Sequence, residues 1–320
     1  MKKIIRSLGI VLTVALMLSG CKASGDAAGG GSVRVGSLKG PTSIGIIKMI
    51  HEKGSGYSFQ METQADVLLA AIVSGDLDIA LIPANVASVL YNKTKGGISV
   101  IDINTLGVLY MVSGDQSISS MADLEGRTIY TTGAGTTPEY VLRYLLDKNG
   151  LSGKTEIVFK SEASEVAALL AKDEKAVGML PQPFVTAAIA KNGALSVVLD
   201  MTKEWEACSD GSQLVTGVTV VRNDLLTENP EAVARFCKDH AESVEFVNSN
   251  TQEAAGYVAE AGIIDNANVA QKAIPYCNIV CISGPDMKDA LSGYLTVLYD
   301  QDPASVGGAL PADDFYADVQ

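Results

Sequence analysis

Two stretches of this chain repeat one layout, and the repeat restricts the fold more than any other feature of the sequence. Each stretch has the pattern strand, polar loop with glycine, helix, strand, helix and short apolar strand ending at a proline. From the loop after its first strand to its closing proline, the first stretch covers residues 37–83 and the second covers residues 132–181. Alternating strands and helices indicate a sheet that carries helices on both faces. The sequence therefore predicts an α/β protein with two similar lobes.

The spacing of apolar residues places individual elements within each stretch. In the first stretch it predicts strands at 33–36, 58–62 and 79–82 and helices at 42–53, 65–74 and 85–92. In the second it predicts strands at 128–130, 156–159 and 177–180 and helices at 138–149 and 164–172. The later part of the chain is mostly helical, with predicted helices at 231–247, 252–261 and 286–299.

Two apolar runs, residues 101–112 and residues 215–221, are long enough to connect the two lobes. We expect the chain to leave lobe one near residue 109 and to return near residue 219. Lobe one then comprises residues 33–109 and 219–320, and lobe two comprises residues 110–218. Two covalent crossings form a hinge of the kind that lets two lobes close around a ligand.

The first 21 residues predict export from the cytoplasm. Three basic residues precede an apolar run at residues 8–18, which is shorter than the roughly 20 apolar residues of a membrane span. We therefore interpret residues 1–20 as a signal peptide. Cys21 follows Leu-Ser-Gly and resembles the lipobox cysteine of bacterial lipoproteins, which implies cleavage after residue 20 and lipidation of Cys21. Residues 21–32 then suit a flexible tether; an ordinary signal peptide with an incidental cysteine is the alternative.

The composition argues against several classes of function. The formal net charge is −13, and three of the 24 basic residues lie in the first 20, so the remainder is more acidic still. Nucleic-acid binding depends on Lys and Arg set against phosphates, so we expect no nucleic-acid partner. His51 and His240 are the two histidines, which disfavours a histidine-rich metal site. We predict neither a metal nor a cofactor.

Four cysteines follow Cys21, and none forms a CxxC pair: Cys208, Cys237, Cys277 and Cys281. Three alternatives are open for them. They are buried as small apolar residues, two of them form a disulfide in an oxidising compartment, or some of them bind a metal. The apolar residues around Cys277 and Cys281 favour burial in a strand or a buried turn.

Three short motifs occur in the same order as in a known family. They are AAIVSGDLDIA at residues 70–80, DLEGRTI at residues 123–129 and NPEAV at residues 229–233. With them the chain resembles the solute-binding proteins of ABC importers, in the NMT1/THI5-like group of nitrate, sulfonate and thiamine-pyrimidine binders. The resemblance implies a two-lobe fold of the periplasmic-binding-protein type II class. It also implies a lipid-anchored, extracytoplasmic monomer that delivers a small solute to an ABC permease and its ATPase subunits.

In such folds the ligand lies between the lobes, at the carboxyl ends of the strands. The candidate ligand-binding residues follow the first and third predicted strands of each lobe: Ser37, Lys39, Thr42, Ser43, Asn85, Thr131, Thr132, Gly133, Gly135, Thr136, Thr137 and Gln182. The loop at residues 131–137 is the strongest, because it offers glycines, hydroxyls and the start of a helix, which favours oxyanions. The alternatives are helix caps for Asn85 and the loop hydroxyls, a turn for Gln182 and a solvated Lys39.

Further side chains have both a ligand-binding and a structural interpretation. Trp205, Tyr110 and Tyr130 are candidates for stacking on a ligand ring, with packing as the alternative. Asp102 and Asp115 are candidates for pairing with a cationic ligand, with solvated surface carboxylates as the alternative.

Motifs of catalysis are missing from the sequence. It contains no GxSxG, and its Gly-Ala-Gly is not followed by the Gly-Lys-Ser/Thr of a phosphate-binding loop. We therefore expect a binding protein rather than an enzyme. The alternatives are a lipoprotein sensor or interaction module on the same fold and an enzyme like those of the menaquinone pathway, which the resemblance also allows.

Overall fold

The computed structural model describes residues 32–52 and 56–319. The predicted signal peptide, the predicted lipidation site Cys21 and residues 21–31 of the predicted tether lie outside these residues. Within the described part of the chain, no helix is both long enough and apolar enough to cross a membrane. Helices and strands are both abundant, which confirms the predicted α/β class.

The first lobe is built on a six-stranded sheet. Its strands are β1 (Val33–Leu38), β2 (Tyr57–Glu62), β3 (Ile79–Pro83), β4 (Ile98–Leu106), β10 (Val215–Arg222) and β11 (Ile279–Ile282). They are arranged in the order β11-β4-β10-β3-β1-β2. The strands β1, β2 and β3 are parallel, β10 runs antiparallel between β3 and β4, and β11 is antiparallel to β4. All five residues of β3 are buried, as expected for an inner strand with helices on both faces.

The second lobe is built on a five-stranded sheet. Its strands are β5 (Leu109–Ser113), β6 (Thr128–Thr131), β7 (Glu156–Phe159), β8 (Val177–Pro181) and β9 (Ser196–Asp200). They are arranged in the order β7-β6-β8-β5-β9, with β5 antiparallel to β8 and β9. The two halves of the sequence repeat thus share a strand order, because β2-β1-β3-β10 corresponds to β7-β6-β8-β5.

The helices follow the same division between the lobes. The first lobe contains α1 (Pro41–Ile44), α2 (Ile47–His51), α3 (Ala65–Ser74), α4 (Ala84–Thr94), α9 (Asn223–Glu228), α10 (Pro230–Ser249), α11 (Thr251–Glu260), α12 (Ala267–Ala273) and α13 (Gly284–Gln301). The second lobe contains α5 (Thr137–Lys148), α6 (Ala163–Lys172), α7 (Phe184–Lys191) and α8 (Met201–Glu206). Short 3-10 helices lie at Met121–Leu124, Ile274–Tyr276, Pro303–Val306 and Asp313–Phe315.

One predicted helix is divided in the structure. Residues 42–53 were expected to form a single helix, but α1 ends at Ile44 and α2 begins at Ile47. The break lies at Ile46, whose φ of −101° and ψ of 12° leave the helical region. Gly45 lies against β11 and α10, where an added Cβ would be 3.3 Å from Ile279 Cγ2 and 3.4 Å from His240 Nε2. This close packing and the low helix propensity of glycine account for the break.

The first connection between the lobes lies inside the predicted run at residues 101–112, close to residue 109, whereas the second is displaced from its predicted run. Most of residues 101–112 pair within β4 and β5, so that only residues 107–108 separate the two sheets. Residues 215–221 pair within the first sheet as part of β10, and the boundary predicted between residues 218 and 219 falls inside this strand. We propose that residues 107–108 and residues 207–214 are the two crossings, because strands on either side of each belong to different sheets.

The cysteines of the described chain are free thiols: Cys208, Cys237, Cys277 and Cys281. The disulfide alternative is therefore not realised in the structure. Cys277 is fully buried, which raises the pKa of its thiol, whereas the other three are partly exposed.

Candidate functional site

A cavity of about 480 Å³ lies between the two lobes, and we call it the cleft. Its wall contains residues that follow β1, β2 and β3 in the first lobe and β6, β7 and β8 in the second. Leu109 and Thr216, near the two crossings, complete the wall. The cleft thus lies at the carboxyl ends of the parallel strands, where open α/β sheets bind ligands.

The structure brings five of the predicted ligand-binding residues into the wall of the cleft: Lys39, Thr42, Thr132, Gly133 and Thr136. The other seven do not line this cavity: Ser37, Ser43, Asn85, Thr131, Gly135, Thr137 and Gln182. Six of these seven are buried, and Gly135 is exposed. The hydrogen bonds described below show which protein groups several of these side chains contact.

The hydroxyls that follow β1 bond to their own loop. Ser37 Oγ lies 2.7 Å from Ser43 Oγ, and Ser43 Oγ donates to the Leu38 carbonyl at 2.5 Å. Thr42 Oγ1 donates to the same carbonyl at 2.9 Å, although the residue also lines the cleft. Lys39 is exposed, which leaves its ammonium group at the cleft in contact with solvent.

The loop that follows β6 is a tight turn closed by its own groups. Gly133 and Gly135 have φ values of 77° and 73°, a region that glycine adopts without strain. Thr136 Oγ1 donates to the Gly133 carbonyl at 2.7 Å, and the Gly135 amide donates to Glu139 Oε2 at 2.7 Å. The first turn of α5 therefore already has an acidic partner, which reduces the attraction that we predicted for an oxyanion at this helix end.

Asn85 joins the two lobes. It is fully buried at the start of α4, where its amide donates to the Gly135 carbonyl at 3.2 Å and to the Ser305 carbonyl at 3.0 Å. Its own side-chain oxygen accepts a hydrogen bond from Thr137 Oγ1 at 3.3 Å. We call Asn85, Gly135 and Thr137 the interlobe latch, because these bonds connect the first lobe to the second.

Gln182 holds the start of α7. It is 4% exposed, and its Oε1 accepts from the Thr186 amide at 3.2 Å and from Thr186 Oγ1 at 2.9 Å. Its backbone amide donates to the Val108 carbonyl at 3.1 Å. These bonds match the turn alternative for Gln182, because they place its amide group inside the protein.

A family model described as NMT1/THI5 like matches residues 93–254, about half of the chain. The chain belongs to the NMT1/THI5-like family. A relative in Brucella abortus (strain 2308) is 25% identical over 249 residues, which is 75% of each chain, and is named as a binding protein without a stated ligand.

Solved structures confirm the two-lobe periplasmic-binding-protein fold of this NMT1/THI5-like protein. The structure of an ABC transporter from Parabacteroides distasonis has a TM-score of 0.76 at 23% identity, covering 90% of this chain and 99% of that one. The periplasmic aliphatic sulphonate-binding protein SsuA from Escherichia coli has a TM-score of 0.70 at 12% identity, covering 90% and 92%. At these identities the likeness concerns the fold.

The cleft of this NMT1/THI5-like protein has a second set of wall residues, which sequence reasoning missed. They lie at the end of, or just after, the second strand of each repeat in chain order, β2 and β7: Thr63, Gln64, Ala65, Asp66, Phe159, Lys160, Ser161, Glu162, Ala163 and Ser164. Both strands were predicted, so the rule that selects loops after parallel strands would have found these residues had it been applied to all three strands of each repeat.

The charges at the cleft are balanced between the lobes. The first lobe contributes Lys39 and Asp66, and the second contributes Lys160 and Glu162. Lys160 Nζ lies 5.6 Å from the centroid of the Tyr130 ring, within the range of a cation–π contact. Each lobe therefore offers one cation and one carboxylate together with hydroxyls, and the second lobe adds the apolar rings of Phe159 and Phe184.

The remaining predicted candidates lie outside the wall. Trp205 is fully buried, with ring centroids 4.7 Å from Tyr144 and 5.4 Å from Tyr294, and its Nε1 donates to the Ser212 carbonyl at 2.9 Å. It therefore packs between α5, α8 and α13 and does not stack on a ligand in the cleft. Tyr110 is partly buried and donates to the Tyr276 carbonyl at 3.3 Å, and burial raises its pKa to about 12.

The two aspartates have protein partners. Asp115 accepts from Arg127 Nη1 at 2.7 Å and from the Ser117 hydroxyl at 2.7 Å, and these groups hold the pKa of Asp115 well below its ordinary value. Asp102 is neither at the cleft nor at the surface, because it is 1% exposed and lies 3.0 Å from His240 Nδ1. Both predicted alternatives for Asp102 were therefore wrong.

Proposed function

We propose that the protein binds a small solute in the cleft and delivers it to an ABC permease and its ATPase subunits. On this proposal the protein acts outside the cytoplasm, is lipid-anchored to the cell membrane through Cys21, works as a monomer and does not transform its ligand. The lobes are proposed to close when the solute contacts both of them, since only a difference in affinity shifts an open–closed equilibrium.

The observation that carries the proposal is the division of the cleft wall between the two lobes. The cavity of about 480 Å³ is large enough for a small organic molecule, and the ends of six parallel strands from two separate sheets surround it. A ligand in this position contacts Thr42 or Asp66 in the first lobe and Thr132 or Lys160 in the second. Membership of the NMT1/THI5-like family supports the same conclusion.

The chemistry of the wall restricts the solute. Hydroxyls of Thr63, Thr132 and Ser161 donate and accept hydrogen bonds, while Phe159 and Phe184 offer apolar surface. A polar molecule with a compact apolar part fits such a wall better than a large lipid or a highly charged polymer. Sulfonates, pyrimidines, flavins and small oxyanions form the first panel to test.

The test is a thermal-shift screen of that panel, followed by calorimetric titration of each solute that raises the melting temperature. We expect Lys160→Ala and Thr132→Val to weaken binding of such a solute about tenfold, the loss of one net hydrogen bond or charge contact. Lys191→Ala is the matched control, because Lys191 is an exposed lysine of the same lobe that does not line the cleft. Equal loss of affinity in the control and the cleft variants would refute the assignment of the cleft.

Delivery and anchoring need separate measurements. With the permease and ATPase subunits in lipid vesicles, the solute-loaded protein is expected to stimulate ATP hydrolysis more than the solute-free protein. A sensor on the same fold would bind solute without this stimulation, and an enzyme would return a changed solute after incubation.

Cys21→Ser is expected to release the protein from the membrane fraction, and its retention there would refute anchoring through that residue.

A further inference from the structure

A cluster of three metal-binding side chains lies inside the first lobe, away from the cleft. Asp102 on β4, His240 on α10 and Cys281 on β11 place one ligand atom each within 4.8 Å of the others. His240 Nδ1 lies 3.0 Å from Asp102 Oδ2 and 4.0 Å from Cys281 Sγ. None of the three lines the cleft, so solute binding does not account for them.

The position of the cluster makes it unusual. The side chains of His240 and Asp102 are 0% and 2% exposed, and the His240 ring lies 5.7 Å from the buried ring of Phe236. Asp102 Oδ1 accepts a hydrogen bond from Thr219 Oγ1 at 2.6 Å, which fixes the carboxylate. Burial opposes protonation of His240, but the facing Asp102 carboxylate outweighs it and raises the pKa of His240 to about 10.

The orientation of the imidazole excludes a catalytic relay. A Cys–His–Asp relay uses both ring nitrogens, with the carboxylate on one and the thiol on the other. Here the carboxylate and the thiol both approach Nδ1, whereas Nε2 faces Gly45 and has no hydrogen-bond partner among the described residues. Three donors that converge around one point are the arrangement of a metal site.

Two of the three ligand separations lie within a few tenths of an ångström of those around a tetrahedral zinc ion. Zinc bonds of about 2.0 Å to nitrogen and oxygen and about 2.3 Å to sulfur place tetrahedral ligands about 3.3 Å (N to O) and about 3.6 Å (N to S) apart. The corresponding separations here are 3.0 Å and 4.0 Å.

We propose that Asp102, His240 and Cys281 bind a zinc ion or another divalent metal that prefers nitrogen and sulfur ligands. Charge is conserved in this step: the metal binds the aspartate, the neutral imidazole and the thiolate, and the imidazolium and thiol protons are released. Cys281 is partly exposed on the edge strand β11, which gives the metal a route from solvent.

A bound metal would join three separate elements of the first lobe. The strand β11 has only two registered pairs with β4, Ile279 with Thr105 and Ile282 with Ile103, and the register shifts between them. An ion held by Cys281, Asp102 and His240 links this weakly paired edge strand to β4 and to α10. The site therefore acts as a structural clamp, independent of whether the cleft binds a solute.

The test is titration of cobalt(II), a spectroscopic substitute for zinc, into the metal-stripped and reduced protein. We expect a thiolate-to-cobalt charge-transfer band at one equivalent, its loss on adding zinc, and a rise in melting temperature with zinc. Cys281→Ser removes the band, and Asp102→Asn weakens cobalt binding at least about tenfold. Cys208→Ser is the matched control, because Cys208 is a partly exposed cysteine in a proposed crossing and does not belong to the cluster, and it keeps both the band and the zinc-induced rise.

Two results would overturn the proposal. One is the absence of a charge-transfer band in wild-type protein whose circular dichroism shows that it is folded. The other is a band that survives in Cys281→Ser or disappears in Cys208→Ser. Cys281→Ser changes one atom and is the variant that best preserves the fold, so its folded state is checked in the same experiment. Neither result bears on solute binding, which is measured separately.

Discussion

The interlobe latch predicts how strongly the two lobes hold together. Asn85→Ala removes three hydrogen bonds, two of which, to Gly135 and Thr137, connect the first lobe to the second. A net value of about 1 kcal/mol for each cross-lobe bond makes the closed arrangement about 2 kcal/mol less stable relative to an open one. This corresponds to a shift of about 30-fold in the open–closed equilibrium.

Small-angle scattering of the purified protein without solute measures this shift. We expect Asn85→Ala to have a larger radius of gyration than the wild-type protein and to bind any solute from the screen up to about 30-fold more weakly, because less of it is closed. Asn92→Ala is the matched control. Asn92 lies on the same helix, and its amide donates to the Val306 and Ala309 carbonyls at 2.9 Å and 2.7 Å, within the first lobe.

The control separates opening from loss of stability. Both variants are expected to unfold at a lower urea concentration, since each loses buried or partly buried hydrogen bonds. Only Asn85→Ala is expected to change the scattering of the folded protein. Identical scattering curves for Asn85→Ala and the wild-type protein would show that the latch does not hold the lobes together, and a change in Asn92→Ala would show that the effect is not specific to the cross-lobe bonds.

Three further predictions concern stability and are measured by urea unfolding. Gly107→Ala would place a methyl group on the Thr202 hydroxyl at one crossing and is expected to cost about 1–3 kcal/mol; an unchanged midpoint would contradict this packing. Trp205→Ala would leave a large void between the lobes and is expected to cost about 3–5 kcal/mol, whereas a loss near zero would mean that the ring is not buried. The Ser117 hydroxyl and the Arg127 guanidinium lower the pKa of Asp115, so its carboxylate stabilises the protein above the ordinary carboxyl pKa of about 4, and this stabilisation is lost as pH falls from there through the lowered pKa. Asp115→Asn should therefore lower stability at pH 7 but not in strong acid, and an equal effect at both would refute the pairing.

The positions of the strands were largely predictable from the sequence. The predicted strand at residues 156–159 matches β7, and those at 58–62 and 79–82 differ from β2 and β3 by one residue. Local alternation of apolar residues, with glycine and proline at the ends, is sufficient for this. The second crossing was not predictable in the same way, because an apolar run has the same composition whether it connects two sheets or pairs within one.

The location of the cleft was predictable from the sequence, but the identity of each residue in its wall was not. The rule that ligands bind beyond the carboxyl ends of parallel strands placed Lys39, Thr132 and Thr136 at the cleft. It did not show which hydroxyls bond within the protein, such as Ser37 and Ser43, because that depends on the direction of each side chain.

Contacts between residues that are far apart in the sequence were also not predictable. Asp102 and His240 are 138 residues apart in sequence, and Asn85 and Ser305 are 220 apart. No local pattern connects such residues. Their pairing follows from the arrangement of strands and helices in space, which places Asp102 of β4 against His240 of α10 and places α4 beside the 3-10 helix at Pro303–Val306.

The position of β10 between β3 and β4 affects the order in which the two lobes fold during synthesis. This strand alone connects β3 to β4, and its residues follow the whole second lobe in the chain. During synthesis, the second lobe can assemble from one continuous segment. The strands β1–β3 and the strand β4 of the first lobe are not connected to one another in the sheet at that stage. We expect the second lobe to fold first, because β10 can pair with β3 and β4 only after residue 222 has emerged from the ribosome. The first lobe of a chain built in this way stays incomplete until most of its length is available.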